Sequence, residues 1–403
     1  MKVLFVHQNA PAQFRHVAAR LAANPDNQVI YITHKGKQGL PGVGKIEYEP
    51  HRKPAKETHH YLRMTENAVL YGQGVARKAA ELKKSGFVPD VMIGHPGWGE
   101  TLFLKDIFPD SPLISYCEFY YNSVGTNIDF DPEYPDGGEI AFRTRMRNSH
   151  HLIAAEAADA LYAPTNWQRQ QFPSAYRDRI DVIHDGIDCT RACPNSNATF
   201  TVDGGPTFKP GDEVVTYVAR NLEPYRGFHS FMRALPHILA KRPNAHVVIV
   251  GANGVSYGRN LPEGDSYKDR LLKEVMLPKG RVHFTGQLPY ARYLNLLQVS
   301  AAHVYLTYPF VLSWSCLEAL AAGCVVVGSR TKPVEEVIRD GENGLLVDFF
   351  NPVEIAERVT DVLANKVDTA ALRKAARQSI LENYELGKCQ VRLDELILRT
   401  VQK

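Results

Sequence analysis

Short apolar runs rich in β-branched residues recur along the chain, separated by amphipathic stretches. Such runs lie at Val3–Val6, Val29–Thr33, Val91–Gly94, Leu113–Ser115 and Ala160–Pro164. They return at Val214–Ala219, His246–Gly251, His303–Thr307 and Cys324–Ser329. Near-continuous apolar strands of this kind suit a parallel sheet covered on both faces. Between them, Phe14–Ala23 and Phe228–Leu239 carry apolar residues at helical spacing. Strand, helix and strand in repetition predict an α/β, doubly wound architecture.

Residues 193–212 break the pattern with Pro, Gly, Asn, Ser and Thr. They read as the linker or a linker-proximal loop between two Rossmann-like domains, 1–192 and 213–380, with residues 381–403 as a C-terminal helix. Packing of that helix back onto the N-terminal domain is left open. The chain has 403 residues, a length that suits two domains.

A net charge of +3 without a concentrated basic stripe excludes a nucleic-acid partner. The six cysteines form no C-x-x-C pair, and Cys189 and Cys193 lack the partners of a zinc site. Reduced thiols in a cytoplasmic protein are the expectation. The first residues, MKVLFVHQNAPAQF, lack the cleavage site of a signal peptide, and no apolar stretch is long enough to span a bilayer. Peripheral contact with the inner face of a membrane stays open, through basic clusters such as Lys83–Lys84.

Two segments concentrate candidate chemistry. In Tyr217–Leu235, a strand ends at Arg220, and a loop then reaches Arg226, Gly227 and an amphipathic helix. Guanidiniums at the carboxyl end of a strand project where open α/β sheets bind ligands, and they suit phosphate. Gly227 lets the backbone turn close to a ligand, and the helix start adds partial positive charge. In Tyr308–Val347, a helix begins near Ser313, Trp314 and Ser315, and its free N–H groups suit a phosphate. Glu318, a turn later, suits the diol of a ribose. In the N-terminal half, GHPGWGE at Gly94–Glu100 and EFYYN at Glu118–Asn122 each follow a buried strand. They combine His95, Trp98, Glu118, Tyr120 and Tyr121, the carboxylates and aromatic faces that a sugar acceptor needs.

Arg220–Gly227 resembles the G-R-x-x-x-x-K-G element of the family-4 retaining glycosyltransferases (group 1), with Arg226 at the lysine position. Leu317–Val347 resembles their E-A-x-A-x-G-x-P-V-V…E-V-x-x-D-G-x-N-G-x-L-V block. Val182–Asp188 is similar to V-I-P-N-G-V-D, and Val282–Gln287, with Gly286, to the segment that lines the base pocket. The resemblance implies the GT-B fold, two facing Rossmann-like domains with a cleft between them. It implies a retaining transfer of a sugar from a nucleoside-diphosphate sugar to an acceptor hydroxyl, in polysaccharide, glycolipid or other glycoconjugate synthesis. The acceptor would be a sugar, a lipid-linked group, a peptide or a small molecule, held by the N-terminal domain. Arg220 and Arg226 would stabilise the leaving diphosphate, and no metal or other cofactor is expected. Asp129 and Asp131 form the one D-x-D spacing, and they lie in the N-terminal half.

The sequence also departs from the family. Phe310 stands where a first glutamate, eight residues before Glu318, usually faces the donor sugar. Gln13, Phe14 and Arg15 replace a glycine pair after the first strand, and Glu118 aligns with a usual histidine. Phe14 and Arg15 therefore join the acceptor candidates, Phe310 the donor candidates, and Glu118 and His95 the catalytic ones. A nucleotide-sugar epimerase on the same fold and a non-catalytic sugar-nucleotide-binding subunit are the competing readings.

Overall fold

The computed structural model describes residues 1–402, which divide into two compact units. The first spans Met1–Gly186 and takes up the chain again from Gly387 onward; the second is Ile187–Leu386.

The first unit holds seven strands: β1 (Lys2–Val6), β2 (Gln28–His34), β3 (Gly44–Tyr48), β4 (Val91–Gly94), β5 (Leu113–Tyr116), β6 (Ala160–Ala163) and β7 (Ile180–Val182). They form one parallel sheet in the order β3-β2-β1-β4-β5-β6-β7. Successive side chains of a strand point to opposite faces, and both faces of this sheet are buried. Leu4 and Val6 join a core with Ile32, Met92 and Leu113, whereas Val3 and Phe5 join another with Tyr31, Ile93 and Ile114. The second core also receives Leu393, Leu396 and Ile397 from the C-terminal helix Leu386–Val401. Arg20 pairs with Asp394 and Arg399 with Asp181, tying that helix to the unit.

The second unit begins with a small antiparallel pair, β8 (Phe200–Thr201) and β9 (Thr207–Phe208). Its main strands are β10 (Val214–Asn221), β11 (His246–Ala252), β12 (Val282–Gly286), β13 (Ala302–Tyr305), β14 (Val326–Ser329) and β15 (Leu345–Val347). They pair in parallel in the order β12-β11-β10-β13-β14-β15. Residues 193–212 contain this pair. Their Gly and Pro residues shape a tight hairpin, and Ala198, Phe200 and Phe208 pack with Val214, Val248 and Leu296.

In each sheet the strand order reverses once, between β1 and β4 and between β10 and β13. Ligands of doubly wound sheets bind outside the carboxyl ends of the strands at such a point. No helix among the described residues is long and apolar enough to cross a membrane.

Candidate functional site

At the reversal in the second unit, a cavity of about 550 Å3 opens at the carboxyl ends of β10 and β13. Arg220, Arg226, Ser313 and Ser315 line it, with Tyr257 and Tyr290. Arg220 is exposed. Arg226 is held: its Nη1 donates to Thr307 Oγ1 at 2.8 Å, the Val311 carbonyl at 3.2 Å and the Tyr305 hydroxyl at 3.4 Å. Its guanidinium carbon lies 5.4 Å from the centre of the Tyr257 ring. Gly227 follows at φ +64°, and a Cβ there would lie 2.4 Å from Leu306 Cβ. The glycine is thus needed for close packing under the loop, and it does not face open space. Gly286, at φ +67°, has nothing within 4 Å of the place a Cβ would take.

The helix Trp314–Ala321 starts at this cavity. Ser313 caps it by accepting the Ser315 N–H at 3.3 Å, and the Ser313 N–H donates to the Tyr305 hydroxyl at 2.9 Å. Burial pushes the Tyr305 phenol up to about 12, which keeps its proton in place. Trp314 is half-buried and packs against the unit's core. Glu318 accepts one hydrogen bond on each oxygen, from Tyr290 at 2.7 Å and from Tyr293 at 2.9 Å. Phe310 is 5% exposed and meets Tyr225 and Tyr257 edge-on, at ring-centre distances of 5.9 and 5.1 Å. As a donor contact it is therefore corrected: its ring packs the loop, because an aromatic side chain gains more from this cluster than from water.

Sequence reasoning missed three residues that shape this cavity. Buried Glu223 accepts the N–H groups of Ser256, Tyr257 and Gly258 at 3.0, 3.2 and 2.9 Å, and so anchors the loop that carries Tyr257. Tyr290 and Tyr293 orient Glu318 from a helix that no motif marked. Only their spacing ahead of a buried helical run signals them.

At the reversal in the first unit, His7 follows β1, His95 follows β4 and Glu118 lies just past β5. Gln13 donates to Glu118 Oε1 at 2.7 Å, and His95 Nε2 lies 3.3 Å from Glu118 Oε2. Trp98 stacks on His95 at 5.0 Å. His7 and Gln13 were missed as site residues, since their contacts cross the sheet. Phe14 is corrected: it is 0% exposed and packs against Phe5, His7, Tyr31 and Tyr116, so no face remains for an acceptor. Arg15 is exposed at the start of the helix Arg15–Ala23. Tyr120 packs on Phe172 at 5.5 Å, and Tyr121 carries the Arg147 guanidinium 3.5 Å above its ring. Neither tyrosine is brought into the His95–Glu118 pair by these contacts. Glu100 is fully buried, hydrogen-bonded by Tyr48 at 2.7 Å, and burial pushes its carboxyl up to about 7.

A larger cavity of about 740 Å3 opens at the amino ends of β10, β13 and β14. Its guanidiniums, Arg373 and Arg377, donate to the carbonyls of Gly323, Ala301 and Ala321, and so close helix ends. The smaller cavity carries the chemistry. Among the described residues, no group of three or more His, Cys, Asp or Glu is placed to hold a metal ion.

Two doubly wound parallel units, one with a cationic cavity at its switch point, place the protein in the doubly wound α/β class. Residues 25–192 match the model of the glycosyl transferase family 4 group, and residues 203–379 that of glycosyl transferases group 1. The chain belongs to the group 1 glycosyl transferases and is a transferase enzyme. Spore coat protein SA of Bacillus subtilis (strain 168) is 27% identical over 81% of this chain and 80% of its own length. The D-inositol 3-phosphate glycosyltransferase of Nocardia farcinica is 27% identical over 53% of this chain, which spans 47% of that relative. Among solved structures, Anabaena Alr3699/HepE in complex with UDP-glucose has a TM-score of 0.69 at 15% identity, covering 99% of this chain and 100% of that one. Sucrose-phosphate synthase from Thermosynechococcus elongatus has a TM-score of 0.73 at 17% identity, covering 99% and 98%. The fold is that of the GT-B glycosyltransferases.

Proposed function

We propose that this enzyme moves a sugar from a nucleoside-diphosphate sugar to an acceptor hydroxyl, with retention at the anomeric carbon and without a metal. The observation that carries this reading is the joint presence of Arg220, Arg226 and the Ser313-capped helix start around one cavity. Two guanidiniums and a helix N-terminus are what a leaving diphosphate requires. The anomeric carbon–oxygen bond to the diphosphate breaks, the diphosphate oxygen takes the electron pair, the acceptor oxygen bonds to the same carbon, and the acceptor's hydroxyl proton passes to the departing diphosphate oxygen. Retention follows if the acceptor enters on the leaving-group face. Glu223, the carboxylate on the cavity wall, is committed to three backbone N–H groups and serves as an anchor. The resemblance to retaining glycosyltransferases and the UDP-glucose bound by the Anabaena structural neighbour support the donor class. The N-terminal unit supplies the acceptor candidates Arg15, His95, Trp98 and Glu118, and the acceptor belongs to polysaccharide, glycolipid or other glycoconjugate synthesis.

The test is release of nucleoside diphosphate from a panel of nucleotide sugars, with and without candidate acceptors and with EDTA. Acceptor-stimulated release that survives EDTA is expected. Free altered sugar without an acceptor marks an epimerase, binding without any turnover marks a non-catalytic subunit, and restoration by Mg²⁺ after chelation overturns the metal-free reading.

Glu318 takes the ribose hydroxyls in this reading, with Tyr290 and Tyr293 holding it. Glu318→Ala should weaken nucleoside-diphosphate binding by roughly 1–3 kcal/mol, and Tyr293→Phe by about 1 kcal/mol, the scale of a hydrogen bond to a charged group. Calorimetry with UDP, GDP and ADP measures this. A dissociation constant that neither variant moves takes Glu318 out of the nucleotide site.

A further inference from the structure

The first unit holds a donor and an acceptor set side by side. His7 and His95 are each 1% exposed, with ring centres 4.6 Å apart. The Nδ1 of His7 accepts the Asn9 N–H at 2.9 Å, and the Nδ1 of His95 accepts the Gly97 N–H at 3.0 Å. A ring nitrogen that accepts an N–H carries no proton, so each neutral ring bears its proton on Nε2. Burial, with His95 beside it, holds the His7 imidazole well below its usual range, in the neutral form.

The two Nε2 protons meet different fates. That of His7 is given to Gln13 Oε1 at 2.9 Å. This turns the Gln13 amide so that its nitrogen donates to Glu118 Oε1 at 2.7 Å. The Gln168 side chain donates to the Glu118 carbonyl at 2.6 Å, which fixes the backbone as well. The proton of His95 lies within 3.3 Å of Glu118 Oε2, yet the buried nitrogen makes no hydrogen bond. A buried donor without a partner calls for a reason, and here it borders a partly exposed carboxylate at the point where the strand order reverses.

We propose that His95 and Glu118 form a hydroxyl-reading pair for a neutral sugar or polyol, with His7 and Gln13 as its positioning residues. A hydroxyl is both acceptor and donor. Its oxygen receives the His95 Nε2 proton while its own proton goes to Glu118 Oε2. A phosphate or carboxylate satisfies His95 but meets the charge of Glu118. An ammonium satisfies Glu118 but has no lone pair for His95. The half-buried Trp98, stacked on His95, supplies a wall for the C–H face of a ring. His7 and Gln13 act through Glu118 and touch no ligand. The role of the bound polyol as acceptor rests on the transfer reading above; the binding itself does not.

The experiment uses the full chain labelled with 15N-histidine and long-range proton–nitrogen spectra, with His95→Gln to assign the resonance. Methyl α-glucoside, myo-inositol, inorganic phosphate and methylammonium are added at equal millimolar concentration. The expected result is an Nε2–H tautomer for both histidines, and a shift of the His95 Nε2 signal with the polyols alone. Glu118→Leu abolishes the shift. Gln13→Leu weakens it several-fold while the affinity for UDP, GDP or ADP stays unchanged. A silent His95 signal with both polyols, a response to phosphate of equal size, or an Nδ1–H tautomer at His95 overturns the proposal. Nucleotide binding without any polyol response fails this proposal alone; polyol response without nucleotide binding or transfer fails the transfer reading alone.

Discussion

Arg226→Ala is expected to lower turnover by roughly 10²–10³-fold, the scale for removing one donor aimed at charge that develops in the transition state. The geometry is the reason to expect a larger effect here than at its neighbour Arg220. The Nη1 of Arg226 is fixed on Thr307, Val311 and Tyr305, so the guanidinium is oriented before any ligand arrives. Preorganised charge does not need to reorganise during the reaction. Arg220 is exposed and less constrained, so Arg220→Ala should cost less. Removing Arg226 also leaves the Val311 carbonyl without this donor, at roughly 1–3 kcal/mol of stability. Arg226→Lys should keep more activity than Arg226→Ala, since an ammonium still reaches the leaving group's charge but lacks the planar fork. Steady-state rates with melting curves for all three variants check this. Near-normal turnover in a folded Arg226→Ala removes the guanidinium from the charge-stabilising role.

The sheets were legible because their strands are buried on both sides. Val3–Val6 and His246–Gly251 read as strands since nearly every residue in them loses its water. The edge strand β3, Gly44–Tyr48, was not legible: its Gly and Lys are exposed, its Glu is half-buried, and it carries no apolar run. In residues 193–212 the break in pattern was legible but the small hairpin was not, because a tight hairpin and a connector draw on the same turn-forming residues. The cationic cavity was legible from Arg220, Arg226 and Ser313–Ser315, whose positions depend on strand ends and a helix start that local pattern predicts. Glu223 was not, because its three partners lie more than thirty residues on. The Gln13–Glu118 bond spans 105 residues. No spacing rule reaches a contact between segments that follow two strands separated by a third in the sheet, and Phe14 was misplaced for a similar reason, its neighbours on β2 and β5 being invisible locally.

Phe310→Glu is expected to destabilise the second unit rather than to re-rank its donors. The departure from the family places a ring where a carboxylate usually faces a sugar, which suggests a donor with a less polar face. The structure supports packing instead. Phe310 is 5% exposed, and its neighbours Tyr225 and Tyr257 form part of an aromatic cluster with Tyr308 and Phe349. A carboxylate in that position loses the ring contacts and is buried against aromatic carbon. Losing a buried phenyl costs about 3–5 kcal/mol, and a charge without a partner adds to that. At roughly 2–4 °C per kcal/mol for a unit of this size, the melting transition should fall by about 6–20 °C. Phe310→Leu, which keeps an apolar side chain, should fall less and keep the wild-type order of donors. Differential scanning calorimetry on the three proteins, with relative turnover of hexose and deoxyhexose donors, separates the two roles. An unshifted melting curve for Phe310→Glu, with preference moved towards fully hydroxylated hexoses, would instead put the Phe310 ring on the donor sugar.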